Sequence, residues 1–136
     1  MYNQKLKLRL LYIDTPEKYS SRKLDRQARE CAVSKRQIRK LGRLASHYAK
    51  QYFKEQKYVL VYYKGRGHYK RMLAVVKRLD KNTIYNYDVV KDGYACIYRW
   101  AYYPDEIKQA YINAKKNKKG LWNINYDLMK CLCENK

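Results

Sequence analysis

The chain begins with strict alternation. Over residues 5–13, KLKLRLLYI, Leu6, Leu8, Leu10 and Tyr12 fall on one side of an extended backbone, with Lys5, Lys7, Arg9, Leu11 and Ile13 on the other. A period of two with one wholly apolar face predicts a strand. Asp14-Thr15-Pro16-Glu17 ends it sharply, because proline has no amide for a ladder. Residues 18–34 are polar and basic, with a helical turn or two expected from Asp25. Over 35–54 the period changes: Ile38, Leu41, Leu44, Ala45, Tyr48, Ala49 and Tyr52 recur at three- and four-residue spacing, which predicts an amphipathic helix. KYVLVYYK (57–64) predicts a strand, Gly65-Arg66-Gly67 a turn, and YKRMLAVVKR (69–78) the next strand. Asp80-Lys81-Asn82 reads as a turn, 86–92 as a short helix stopped by Gly93, and 95–99 as a short strand. Pro104 opens a last helix, with Asp105 and Glu106 in its first turn and lysines crowding its end before Gly120. Ile107, Ala110, Tyr111 and Ala114 form its apolar stripe. Leu121 and Trp122 are expected to tuck back onto the core, and residues 123–136 form a tail with no assigned element.

Strands with helices set between them, plus a hairpin, predict an α+β fold: a small barrel or curled sheet packed with about three helices. A length of 136 residues fits one domain. The longest apolar run, Tyr58 to Tyr63, is too short to cross a bilayer. No apolar segment of export-signal type follows Met1, and cellular location stays open.

Charge changes the picture most. Lys and Arg total 32 against 12 Asp and Glu, a formal +20. Such a field attracts polyanions and releases counterions on meeting phosphates, so nucleic acid is the first expectation and an anionic membrane or ribosome surface the rival. Residues 22–57 hold twelve basic and three acidic residues and are the most cationic stretch. Tyrosine reaches 17. Its ring offers a face to bases and its hydroxyl a donor to phosphates, although biased composition explains the count equally well. Cys31, Cys96, Cys131 and Cys133 form no CxxC pair, and the single residue between the last two is awkward spacing for a zinc site. Free buried thiols and one disulfide both remain open.

The candidate chemistry lies just after the first strand. Asp14 and Glu17 are two carboxylates three residues apart on a bend stiffened by Pro16, hard oxygens of the kind that bind Ca²⁺ or Mg²⁺. Arg9, five residues earlier, is able to reach the same place. A metal, a carboxylate base and a guanidinium fork together suit phosphoryl transfer. Read alone, Thr15-Pro16-Glu17 is equally a helix cap. A second arginine weighs against that: Arg71 alternates with apolar residues on the face of Tyr69, Leu73 and Val75.

In order along the chain, Arg9-Leu-Leu-Tyr-Ile-Asp14-Thr15-Pro16-Glu17, Tyr69-Lys-Arg71-Met-Leu73-Ala74, Val90-Lys-Asp-Gly93-Tyr-Ala95 and Ala114-Lys-Lys-Asn-Lys-Lys-Gly120-Leu121-Trp122 resemble a staphylococcal-nuclease-like (thermonuclease) domain. The resemblance spans residues 6–122 and implies a domain over 1–122 with 123–136 as a tail. It implies an OB-fold barrel carrying helices and a Ca²⁺-dependent nuclease that cuts DNA and RNA to leave 3′-phosphates, with another divalent cation as an alternative cofactor. Carried over by position, Glu17 matches the general base, Arg9 and Arg71 the arginines on the transition-state phosphate, Asp14 and the Thr15 carbonyl the Ca²⁺ ligands, and Tyr69 a phosphate contact. His68 stands where the family usually has a basic residue. Tyr98 and Trp100 flank the positions of its base-stacking aromatics. The family's first two strands, and a further acidic ligand in their turn, belong before Arg9, where only eight residues stand. The resemblance therefore implies an incomplete barrel. A missing N-terminus is the favoured explanation, and a partner chain completing the sheet is the exception to an expected monomer. Family members are often exported. The expected partner is DNA or RNA, with no membrane. A catalytically silent basic nucleic-acid-binding module remains the alternative.

Overall fold

In the computed structural model, which describes residues 8–55, 59–66, 72–98 and 103–134, the strand expected over 5–13 is broken in two. β1 (Leu8–Leu10) and β2 (Ile13–Asp14) belong to different sheets. At the break Tyr12 takes a left-handed φ of 72°. The cause is tertiary. The Leu11 amide donates to the Ala74 carbonyl at 2.9 Å, and the Tyr12 carbonyl accepts from the Tyr98 amide at 2.7 Å. Two residues thus hand the chain from one sheet to the other.

The larger sheet is built on the hairpin of β3 (Val59–Arg66) and β4 (Met72–Arg78), which pair antiparallel. β1 lies parallel to β4 on its other side, with Arg9 opposite Leu73, and β5 (Thr83–Ile84) pairs with the end of β4. β3 continues through Gly65 and Arg66, where a turn was expected, with a shift of register after Tyr63. The second sheet is β2 against β6 (Cys96–Ile97), with Asp14 opposite Cys96.

Among the described residues six helical segments stand where about three were expected. α1 (Arg22–Glu30) is longer than the turn or two expected from Asp25. The Ser21 hydroxyl caps it by accepting from the Leu24 amide at 3.0 Å. α2 (Lys35–Tyr52) fulfils the helical periodicity and begins with a capping box between Ser34 and Gln37. α3 (Tyr85–Lys91) follows the predicted pattern, and α4 (Asp105–Lys116) begins after Pro104 as expected but ends at Lys116, short of Gly120. α5 (Leu121–Ile124) and α6 (Tyr126–Glu134) occupy the segment read as a tail. Leu128, Met129 and Cys133 of α6 are buried, so these residues belong to the core.

Two apolar clusters result. One surrounds the fully buried Trp122 and joins Leu24 and Ala28 of α1, Ile38, Leu41 and Ala45 of α2, and Leu128 and Met129 of α6. The other joins Ile13, Val76, Val89, Val90, Ala95 and Ile107 under the sheets. The cysteines, left open between thiols and one disulfide, form two bridges, Cys31–Cys131 and Cys96–Cys133, both ending on α6. Several tyrosines serve packing. Tyr48 stacks on Tyr94 with centroids 4.7 Å apart, and Tyr52 meets Tyr85 edge-on at 5.1 Å. The Tyr48 hydroxyl donates to the Asp92 carboxylate and the Tyr52 hydroxyl to that of Asp88, joining α2 to α3. Burial pushes the Tyr85 phenol up to about 12, and burial with the Asp88 contact does the same to Tyr52, so both remain neutral.

Candidate functional site

The bend Asp14-Thr15-Pro16-Glu17 leaves β2 with Pro16 buried and both carboxylates half-buried. It is fixed from three sides. Ile13, just before it, is a core residue at 2% exposure. Asp14 is paired across the ladder with Cys96. On the third side lies Gly42 of α2, where a Cβ would stand 2.5 Å from the Glu17 carbonyl oxygen and 2.8 Å from the Lys18 amide nitrogen. Only a residue without a side chain lets the backbone of the bend lie this close to the helix. The Lys18 ammonium adds a tether by donating to the Ser46 hydroxyl of α2 at 3.1 Å.

Asp14 and Glu17 converge on one point, and that point holds a cation of the chain itself. Nζ of Lys23, from the first turn of α1, donates to Asp14 Oδ2 at 2.7 Å and lies 3.3 Å from Glu17 Oε1. Burial opposes the Lys23 charge, but the Asp14 carboxylate, with Glu17 behind it, outweighs this and holds the ammonium above its ordinary pKa. The capping reading of Thr15-Pro16-Glu17 does not describe the bend: the next helix begins at Arg22 and takes its cap from Ser21.

Arg9 comes to the same corner from β1. Its Nη1 donates to the Ile13 carbonyl at 2.9 Å and the Leu10 carbonyl at 3.2 Å. The guanidinium lies over the Tyr98 ring, 4.8 Å from its centroid. Two predicted site residues are therefore in contact with each other, directly behind the residue that precedes Asp14. Arg71, Tyr69, His68 and Trp100 lie outside the described residues.

Three groups that shape this corner escaped the sequence reading. Lys23 and Gly42 had no spacing rule to mark them. Asn86 of α3 is fully buried. Its amide nitrogen donates to the Leu11 carbonyl at 2.9 Å and the Ala74 carbonyl at 3.2 Å, and its oxygen accepts from the Val76 amide at 3.0 Å. It clamps β4 to the point where the chain departs for the bend. Asn86 and Asp88 are the two polar residues among 84–90, and Asn86 is the buried one.

As metal donors, the described residues of the bend offer the carboxylates of Asp14 and Glu17 and the carbonyl of Thr15. All are hard oxygens, suited in kind to Ca²⁺, which takes six to eight such ligands. The Lys23 ammonium acts as a stand-in ion, showing that the two carboxylates meet at one cation position. No group of three or more His, Cys, Asp or Glu gathers among the described residues, so protein carboxylates alone do not fill a coordination shell there.

The chain is thus an α+β domain that sets an acidic bend and an arginine at the junction of two sheets. The family model for staphylococcal nuclease homologues matches residues 7–124, and the chain belongs to that family. No curated protein matches it.

Proposed function

We propose that the chain is a metal-dependent nuclease that hydrolyses phosphodiester bonds of DNA or RNA on the OB-type fold of its family. The observation that carries this reading is the convergence of the Asp14 and Glu17 carboxylates on one cation position, on a bend held rigid against Gly42, with Arg9 behind it. Asp14 and the Thr15 carbonyl would hold a divalent cation, Ca²⁺ first, which when bound neutralises charge on the scissile phosphate. Glu17 accepts the proton of the attacking water. The guanidiniums of Arg9 and Arg71 receive the charge that develops on the phosphoryl oxygens. Tyr69 and His68 contact the substrate phosphate, and Tyr98 and Trp100 flank the bases. The bond to the leaving 5′ oxygen breaks, so products carry 3′-phosphates.

Glu17→Gln keeps the shape of the bend and removes the base. Turnover on single-stranded nucleic acid in millimolar Ca²⁺ is expected to fall about 10²–10⁴-fold while binding is retained, and EDTA is expected to abolish cleavage by the parent. Unchanged turnover in Glu17→Gln would remove the base from the mechanism.

One observation favours a second reading. The Lys23 ammonium already occupies the cation position between the two carboxylates, as expected of a silent nucleic-acid-binding module. Tight binding at low salt with no hydrolysis in millimolar Ca²⁺ distinguishes this alternative.

A further inference from the structure

The longest helix carries a second feature that the acidic bend does not use. Arg36, Lys40, Arg43, His47 and Lys50 of α2 are all exposed. They follow one another at intervals of four, three, four and three residues. At 100° per residue this keeps them within a quarter-turn of one line, about 21 Å long from Arg36 to Lys50. Ile38, Leu41 and Ala45 are buried on the opposite side of the helix. The row has no counter-charge of its own. Between Glu30 and Glu55 the sequence has no Asp or Glu. Among the described residues the only ion pair made by a cation of α2 is that of Lys35 with Asp25, off this line.

Such a row works against the helix that carries it, since like charges three and four residues apart repel. The repulsion vanishes once a polyanion lies along the row. A line of four cations, with His47 between the last two and no carboxylate of the same helix beside it, is suited to a run of phosphates. Gly42 and Ser46, which touch the bend, lie about a third of a turn around the same helix. A strand lying along the row therefore runs past the flank of the acidic bend without occupying it.

We propose that the solvent face of α2, from Arg36 to Lys50, is a phosphate-tracking exosite that binds the backbone of a nucleic acid outside the hydrolytic site. The proposal takes from the preceding reading only that the ligand is a nucleic acid.

The test is the salt dependence of affinity for a fluorescent oligonucleotide, single-stranded and duplex, with Ca²⁺ absent. Arg36, Lys40, Arg43 and Lys50 are changed together to Gln, which keeps good helix propensity and relieves the repulsion. A control carries Lys81→Gln, Lys91→Gln, Lys108→Gln and Lys116→Gln, the same loss of charge at exposed positions elsewhere. Each phosphate contact contributes about 0.7 to the log–log salt slope for single strands and about 0.9 for duplex. Four lost contacts lower it by about 3, so between 50 and 200 mM salt the parent loses about 60-fold more affinity than the variant. The control is expected to keep the parent slope. Equal losses in both variants would reduce the effect to bulk charge and overturn the exosite, as would no change in either.

Vesicles of phosphatidylserine and phosphatidylcholine form the other arm. Loss of vesicle binding in the α2 variant with unchanged oligonucleotide binding would assign the face to membranes and overturn the proposal. Cleavage of a dinucleotide by the parent reports on the bend alone. Its absence counts against the hydrolytic reading and leaves the salt slope to judge the exosite.

Discussion

The two apolar clusters are held together by different means. The cluster around Trp122 is stapled: both disulfides end on α6, one fastening it to the end of α1 and the other to β6. The cluster under the sheets has no covalent tie and depends on polar groups that fit. Asn86 ties Leu11, just past β1, to β4, and Tyr48 and Tyr52 anchor α2 to Asp92 and Asp88. The acidic bend stands on the seam. Ile13 belongs to the sheet cluster, Asp14 pairs with Cys96 of the stapled one, and Glu17 rests on α2. A site placed there inherits rigidity from both halves and is exposed to the failure of either.

Removing the staples should have the largest effect on stability. Cys31 and Cys131 are 100 residues apart, a loop for which chain entropy alone gives about 4.7 kcal/mol. The Cys96–Cys133 loop overlaps it, so the two contributions do not add. Reduction, or Ser at all four positions, is expected to destabilise the protein by about 4 kcal/mol or more and to expose the α6 amides to hydrogen exchange first. Denaturant melts with and without reductant measure this. An unmoved midpoint would mean that α6 is held by packing alone.

The sheet cluster should break at Asn86. Asn86→Ala leaves the Val76 amide without its side-chain acceptor and takes a donor from the Leu11 carbonyl, at a cost of about 3 kcal/mol. Asn86→Asp keeps the acceptor but sets a second carboxylate oxygen against the Leu11 and Ala74 carbonyls in a fully buried site, so it is expected to cost at least as much as Asn86→Ala. Faster exchange is expected in β4 and not in α6. A uniform change across both regions would deny that the clusters are separately held.

The same division governs what could be read from the chain. The amphipathic period of α2, the bend at Pro16 and the opening of α4 at Pro104 are local, and each lies where the residue pattern indicates. The break at Tyr12 is not local: an alternating strand gives no sign that its amides will pair with Ala74 while its carbonyls turn to Tyr98. α1 has only Leu24 and Ala28 to bury, too thin a stripe to recognise. α6 was obscured by its cysteines. Residues two apart on a helix stand about 200° apart, so Cys131 and Cys133 face different partners, which spacing read as a metal motif cannot suggest. A start signal existed at Asn125, whose side chain accepts from the Leu128 amide at 3.2 Å. At the site, Asp14 and Glu17 were legible as a pair. Lys23 was not, because its approach depends on where α1 begins.

The seam itself is tested by Gly42→Ala. The new methyl collides with the Glu17 carbonyl, which costs about 1–3 kcal/mol in a packed position. Alanine returns about 1 kcal/mol of helix propensity. Net stability should therefore change by no more than about 2 kcal/mol, while turnover on nucleic acid falls as Glu17 shifts. Retained turnover would show that the close approach does not position the carboxylate.

The smallest expected effect is a pH dependence on the stapled side, where Glu134 of α6 meets α4. Its carboxylate accepts from the Lys115 ammonium and, at 2.7 Å, from the Tyr111 hydroxyl. Burial alone would raise its pKa, but the bonds from Lys115 and Tyr111 prevail and hold it below the ordinary 4.5. Between the two values the unfolded chain binds the proton more readily, so stability rises with pH there. The contribution is complete above about 4.5 and disappears as pH falls through the lowered value. The pair is partly solvated, which limits it to about 1 kcal/mol. Glu134→Gln should therefore separate from the parent in unfolding midpoint at pH 7 and converge with it once pH falls below the lowered value. An equal gap at both pH values would assign the difference to packing of α6 rather than to the charge. It would also leave the disulfides, with Leu128 and Met129, as what holds that helix down.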